Sequence, residues 1–260
     1  MRRSDYLSTV LLCCAAPAMA APVSLCYEDS SVYPWITGTG QGLAILQMQL
    51  VAKETGIEFE LIRLPWKRCL LEVEAGRIHA AIAASYNKER ATWGVYPRTP
   101  DGKLQRDYRM HTDSFYVYRH ADSPIRWQAK GFQHLGNEAV GAQLGYSVGK
   151  DLEEAGYRVK YHPASSDLLS YLENRVLQVI VLQDHEAKRQ LSHRPSLRDI
   201  VIREAQPVKV ADQYLLFNTA FYKANKAQVQ MIWQSIEKIR KSKLYLDEER
   251  EMLGTGTGDK

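Results

Sequence analysis

The sequence predicts an α/β protein of two lobes, each a mainly parallel sheet flanked by helices, with a ligand cleft between them. Three observations predict it. A β-α-β-α-β pattern is written once near residues 23–83 and again near 139–182, a strand-like segment joins the two blocks, and amphipathic helices close the chain. Strands joined by crossover helices favour parallel pairing. Open α/β sheets bind ligands beyond the carboxyl ends of their strands, so two such blocks bring two binding edges face to face.

Each element has its own signal. Residues 23–27 (VSLCY) read as a short buried strand, and the turn-rich 28–42 carries Pro34, Gly38, Gly40 and Gly42. Over 43–55 the apolar residues Leu43, Ile45, Leu46, Leu50 and Val51 recur at helical spacing, and Gly56 suits the C-cap. A strand covers 59–64. Pro65 opens a helix that runs to Glu74, since proline is tolerated in a first turn, and Gly76 stops it. A third strand covers 78–83. A short helical turn (87–93), a polar surface loop (97–108) and a strand (114–118) follow. The second block begins at 139–145 and continues as helix 147–155, strand 159–162, helix 166–174 and the strongly apolar strand 176–182. A helix at 184–191, a strand at 208–218, a long amphipathic helix at 223–242 and a shorter one at 244–253 complete the reading. The end, 254–260, is expected to fray.

Composition narrows the function classes. A quarter of the 260 residues are charged and the formal net charge is +4, ordinary for a folded protein. No lysine or arginine block is dense enough for nucleic acid. The first residues have the three parts of a secretory signal: Arg2 and Arg3, an apolar stretch over 6–18, and the small-x-small Ala18-Met19-Ala20. Residues 1–21 are therefore expected to be a cleaved signal peptide, the apolar stretch being short for a span of about 20 residues. A retained anchor and a lipoprotein on Cys13 or Cys14 are the alternatives. Cleavage after Ala20 removes two arginines and one aspartate, leaving about +3. It also removes Cys13 and Cys14. Cys26 and Cys69 remain, at neighbouring strand edges in an oxidising compartment, and a Cys26–Cys69 disulfide is expected; two buried thiols are the alternative. The seven histidines lack metal-ligand spacing, and no G-x-S-x-G, C-x-x-C or phosphate-binding loop is present. No cofactor and no metal are expected.

The run Leu64-Pro65-Trp66-Lys67-Arg68-Cys69 through Glu74-Ala75-Gly76-Arg77-Ile78, followed by Ser85-Tyr86-Asn87-Lys88-Glu89-Arg90, resembles the first lobe of family 3 extracellular solute-binding proteins, the polar amino-acid receptors of ABC importers. The family pattern is "L-x-A-G-K-I-D", a strand, then "S-x-T-x-x-R". Here His79 replaces the usual Asp, while Ser85 and Arg90 keep their spacing. The second-lobe "V-G-x-x-x-G-T-T" falls on residues 140–147. The resemblance implies a two-lobed periplasmic binding protein-like fold (type II). It also implies a periplasmic location and a monomer that captures a small-molecule ligand, an amino acid or related carboxylate, by hinge closure.

The same resemblance implies a ligand set. Arg90 would fork onto a ligand carboxylate, a planar match for a guanidinium. Ser85 would help hold it, and Trp66 would offer a stacking face. Tyr146 and Ser147 stand where the family's two threonines sit at a helix N-terminus, a favourable place for an anion. The family's ammonium-binding aspartate falls on Leu182; Asp184, two residues on, is expected to take that role, or else to cap the following helix. If it only caps, an α-amino acid is not the ligand. Tyr33 and Trp35, on the loop after the first strand, are further candidates. With Tyr27, Trp66 and Tyr86 they suggest an aromatic or cationic ligand.

The first lobe is expected over 22–116 and 211–260 and the second over 117–210, with hinge crossings near 116–119 and 207–212. The expected partners are the ligand and an ABC permease. A freestanding sensor for a membrane signalling partner is the first alternative. A cyclohexadienyl-dehydratase-like enzyme is the second, disfavoured because no tight His/Glu/Lys constellation stands out.

Overall fold

The computed structural model describes residues 21–128 and 131–254. The signal segment with Cys13 and Cys14, and the tail from 255, lie outside the described residues. In chain order the elements are β1 (Val23–Glu28), α1 (Leu43–Thr55), β2 (Phe59–Leu64), α2 (Trp66–Glu74), β3 (Ala80–Ser85), α3 (Arg90–Trp93), β4 (Gly94–Val95) and β5 (His111–His120). A small hairpin, β6 (Arg126–Gln128) and β7 (Gly131–Gln133), leads into β8 (Val140–Gln143), α4 (Ser147–Glu154), β9 (Val159–His162), α5 (Ser165–Glu173), β10 (Val179–Gln183) and α6 (Asp184–Ser192). The chain returns along β11 (Val201–Asn218) and closes with α7 (Thr219–Ala224), α8 (Lys226–Arg240) and α9 (Lys243–Leu253).

The two predicted blocks form as read. In the first, β1 lies between β2 and β3, parallel to both. All six β1 residues are buried, as a near-continuous apolar run in a covered parallel strand requires. In the second, β8 lies parallel between β9 and β10. The long strands β5 and β11 pair antiparallel from His120↔Val201 to His111↔Gln213 and join the blocks. β11 also pairs with β3, and β5 with β10, giving the path β2-β1-β3-β11-β5-β10-β8-β9. Each block is thus parallel inside and antiparallel where the connecting strands meet it.

The differences from the sequence reading have local causes. β11 begins at Val201 rather than 208, although Arg203, Glu204 and Gln206 are polar, because β5 pairs with it at Val201–Arg203 and again from Pro207. The register shifts on both sides of Pro207, which lacks the N–H a regular ladder needs. The hairpin at 126–133 is too short to leave a periodic signal. The helix expected over 223–242 is divided at Asn225, and α7 starts earlier because the Asn218 side chain accepts from the Ala220 and Phe221 N–H groups.

Three cores hold the fold. Leu43, Met48, Phe217, Ile232, Trp233 and Tyr245 pack α1, α8 and α9 on one face of the first block. Leu168, Leu169, Ile180 and Leu182 fill the outer part of the second. A third cluster, including Val73, Ala84, Phe115, Trp127 and Val181, runs beneath both. Cys26 and Cys69 are disulfide-bonded and fully buried, tying the end of β1 to α2. Among the described residues no helix is long and apolar enough to cross a membrane.

Candidate functional site

The carboxyl ends of β1, β3 and β10 deliver Glu28, Ser85 and Gln183 to one cavity of about 30 Å³. Loop residue Trp35, the helix-start residues Trp66 and Tyr146, and Arg90, His111 and Asp113 complete the polar and aromatic lining.

Arg90 reaches the cavity through a local motif. Asn87 Oδ1 accepts the Arg90 N–H (3.0 Å), folding the chain back after β3. Arg90 Nη1 then donates to Ser85 O (2.8 Å), which also accepts from the Tyr96 hydroxyl (2.7 Å). The spacing Ser85-x-Asn87-x-x-Arg90 is thus a device that turns a guanidinium onto its own strand end. Arg90 is only 6% exposed and has no ion-pair partner among the described residues. Buried Arg119, by contrast, pairs with Glu204. The Arg90 charge meets the carbonyls of Ser85 and Gly145 and the Trp66 ring, 5.6 Å from its centroid.

The second lobe meets these groups directly. Gly145 has φ +85°, and a Cβ there would stand 3.1 Å from Trp66 Cδ1, so glycine permits the close approach. Its carbonyl accepts from Arg90 Nη2 (2.5 Å) and Trp66 Nε1 (3.2 Å). The Ser85 and Ser147 hydroxyls are 2.7 Å apart, and Lys209 Nζ donates to Ser147 Oγ (2.9 Å). Glu28 accepts from Gln143 Nε2 (2.8 Å) and from the Tyr146 hydroxyl (2.6 Å). Burial pushes the Glu28 carboxyl up to about 8; the Tyr146 and Gln143 donors oppose this, while repulsion from Asp29 and Glu186 adds to it.

Asp113, on β5, forms the other polar centre. Its Oδ1 accepts from Trp35 Nε1 (2.7 Å), its Oδ2 from Gln183 Nε2 (2.8 Å), and His111 Nε2 lies 3.3 Å from Oδ2. The Trp35 and His111 rings stack at 3.7 Å.

Of the sequence-predicted residues, the structure brings Arg90, Ser85, Trp66, Tyr146 and Trp35 together around the cavity, with Ser147 touching Ser85. Tyr33 stands apart from its lining. Its N–H donates to Glu186 (2.8 Å), its ring faces Arg189 and its hydroxyl reaches the Met252 carbonyl, so it anchors the loop.

Asp184 also lies outside the cavity. The strand ends at Gln183 and α6 starts at Asp184, so the alternation that would place Asp184 beside Leu182 stops one residue short. Leu182 points into the second-lobe core. The Asp184 carboxylate takes hydrogen bonds from Arg203 Nε (2.5 Å) and Tyr118 (2.8 Å), and Lys188 Nζ lies 2.8 Å away. Burial alone would raise its pKa, but these donors outweigh burial and hold the carboxyl below its ordinary value. Asp184→Ala is therefore expected to cost about 3 kcal/mol of stability by stranding Arg203, while changing ligand affinity less than about twofold. Urea titration and calorimetric binding on the same variant check both halves.

Glu28, Gln183, Asp113 and His111 line the cavity, and Gln143 and Gly145 hold lining residues, without having been assigned to it from the sequence. Gly145 stood inside the quoted second-lobe motif, and Glu28 on the loop already singled out. Asp113 and His111 carry no sequence signal, since their role depends on how β5 meets β11.

No protein-family profile and no curated protein matches the chain. Solved structures do. A histidine kinase sensor domain with similarity to periplasmic binding proteins superposes with TM-score 0.73 at 15% identity, covering 89% of this chain and 96% of that one. The arginine-, lysine-, histidine-binding protein ArtJ from Geobacillus stearothermophilus gives 0.71 at 14%, over 90% and 96%. The GluR0 ligand-binding core from Nostoc punctiforme, in complex with L-glutamate, gives 0.70 at 13%, over 89% and 99%. At these identities the likeness establishes the fold, that of two-lobed periplasmic binding proteins.

Proposed function

We propose that this chain is an exported periplasmic receptor of the family 3 solute-binding type, which captures a small carboxylate-bearing solute by hinge closure and presents the closed form to an ABC importer. The lobes are 22–116 with 211–260, and 117–210; the segment 1–21 is its cleaved signal. The single observation that carries the reading is Arg90, a buried cation that faces the cavity with no carboxylate partner among the described residues. Its guanidinium meets only neutral carbonyls and an aromatic ring, so an anionic solute would supply the opposite charge it lacks. Residues of both lobes line the same cavity, so a solute bound there couples to closure. We infer no catalytic step.

A thermal-shift screen of amino acids and related carboxylates tests this. A ligand at 100 times its Kd is expected to stabilise the protein by about 2.7 kcal/mol. Arg90→Lys keeps the charge but loses the planar fork, and is expected to weaken the best hit roughly tenfold; Arg90→Ala should weaken it about 100-fold. An unchanged Kd in a folded Arg90→Ala protein rejects the site. A freestanding sensor is the second reading, supported by the likeness to a histidine kinase sensor domain. Signalling that persists in a strain lacking the importer selects it. Turnover of a prephenate-like acid by the purified protein would replace both with an enzyme.

A further inference from the structure

We infer that the ligand is a carboxylate without an ammonium group, carried on an apolar or aromatic body, rather than an α-amino acid. The inference rests on the proposed carboxylate site and concerns what lies opposite Arg90. An α-ammonium brings a full positive charge and three N–H donors, which buried without acceptors are costly. Two acids line the cavity, Glu28 and Asp113. A carboxylate offers about four lone-pair sites. On Asp113, Trp35 and Gln183 each fill one and His111 Nε2 lies 3.3 Å from Oδ2, so one site is left where an ammonium brings three donors. On Glu28 both oxygens are clasped by Gln143 and Tyr146. Its burial also keeps it protonated at neutral pH, so it presents no anion. Asp184 is outside the cavity and already neutralised by Arg203 and Lys188. The remaining polar lining, such as Gln213, is uncharged. Arg90 thus faces a cavity whose two acids are already engaged by donors of the protein itself.

The walls define the rest of the ligand. Val32, Ile36, Ile82 and Phe115 give apolar surface, and Trp35 and Trp66 give flat aromatic faces. Such faces suit a hydrocarbon or ring attached to the carboxylate.

Matched pairs that differ only by the ammonium test this: propionate with alanine, 3-phenylpropionate with phenylalanine, and 3-(indol-3-yl)propionate with tryptophan. Each is titrated calorimetrically into the mature chain at pH 7, and into Arg90→Lys. The expected result is that in the best-binding pair the deamino acid binds at least tenfold tighter than its amino partner, and that Arg90→Lys weakens it. Tighter binding of the amino acid overturns the inference while leaving the carboxylate reading intact; if Glu28→Gln or Asp113→Asn then abolishes that binding, the ammonium partner is identified. Absence of binding by every member of every pair overturns the inference and the carboxylate reading together.

Discussion

Mature protein with alanine at both Cys26 and Cys69 is expected to unfold with about 4 kcal/mol less free energy than the wild type. The two cysteines are 43 residues apart, and a cross-link of that span removes a corresponding loop-closure entropy from the unfolded chain. For a chain of this size the melting temperature should fall by roughly 10 °C. Reductant should lower the wild-type melting point and leave the variant's unchanged. The bridge also fixes the site. Cys26 lies two residues before Glu28, and Cys69 three after Trp66, so its loss should weaken ligand binding in the protein that remains folded. Equal melting points for the two proteins would show that the cores alone hold α2 against β1.

A second large effect is expected from pH. In the folded protein Glu28 keeps its proton until about pH 8, whereas the unfolded chain releases it near 4.5. Below 4.5 both states are protonated and nothing is lost. Between 4.5 and about 8 the unfolded state binds fewer protons, so stability falls with rising pH by about 1.4 kcal/mol per unit, to a total on the order of 5 kcal/mol. Above that window both states are ionised and the slope ends. The groups facing Glu28 are Tyr146, Gln143, Asp29 and Glu186. Glu28→Gln copies the neutral form. It should match the wild type near pH 4.5 and exceed it by several kcal/mol at pH 8, as read from urea unfolding across the range. A wild-type slope that survives the substitution assigns the effect to other groups.

The fold was legible wherever one residue type decides a boundary. Gly56 ends α1 in a left-handed conformation as read, and Pro65 stands at the N-cap of α2. Cys26 and Cys69 could be paired because two strand edges place them together. Legibility failed where a partner strand decides. β11 opens on the apolar pair Val201-Ile202, but Arg203, Glu204 and Gln206 break the pattern, and the pairing with β5 on either side of them decides the strand. The site divides in the same way. Ser85 and Arg90 sit in a local motif whose spacing carries its geometry, and Trp66 follows the proline that opens α2, so all three had a sequence signal. Asp184 falls outside the cavity lining because the strand alternation that points it inward ends one residue earlier, at Gln183. Asp113 and His111 were invisible because they meet Trp35 and Gln183 across 70 residues or more of sequence.

The paired strands β5 and β11 have a mechanical consequence. Their ladder runs from His111↔Gln213 to His120↔Val201 and is the shared spine of both lobes. A hydrogen-bonded ribbon resists stretching and shear but yields to twist, most easily where Pro207 interrupts the ladder. In the proposed hinge closure these two strands are the segment both lobes share, so they would carry the change of angle between them. A pair of distance labels, one beside Leu71 and one beside Leu144, would then report occupancy as a rotation angle.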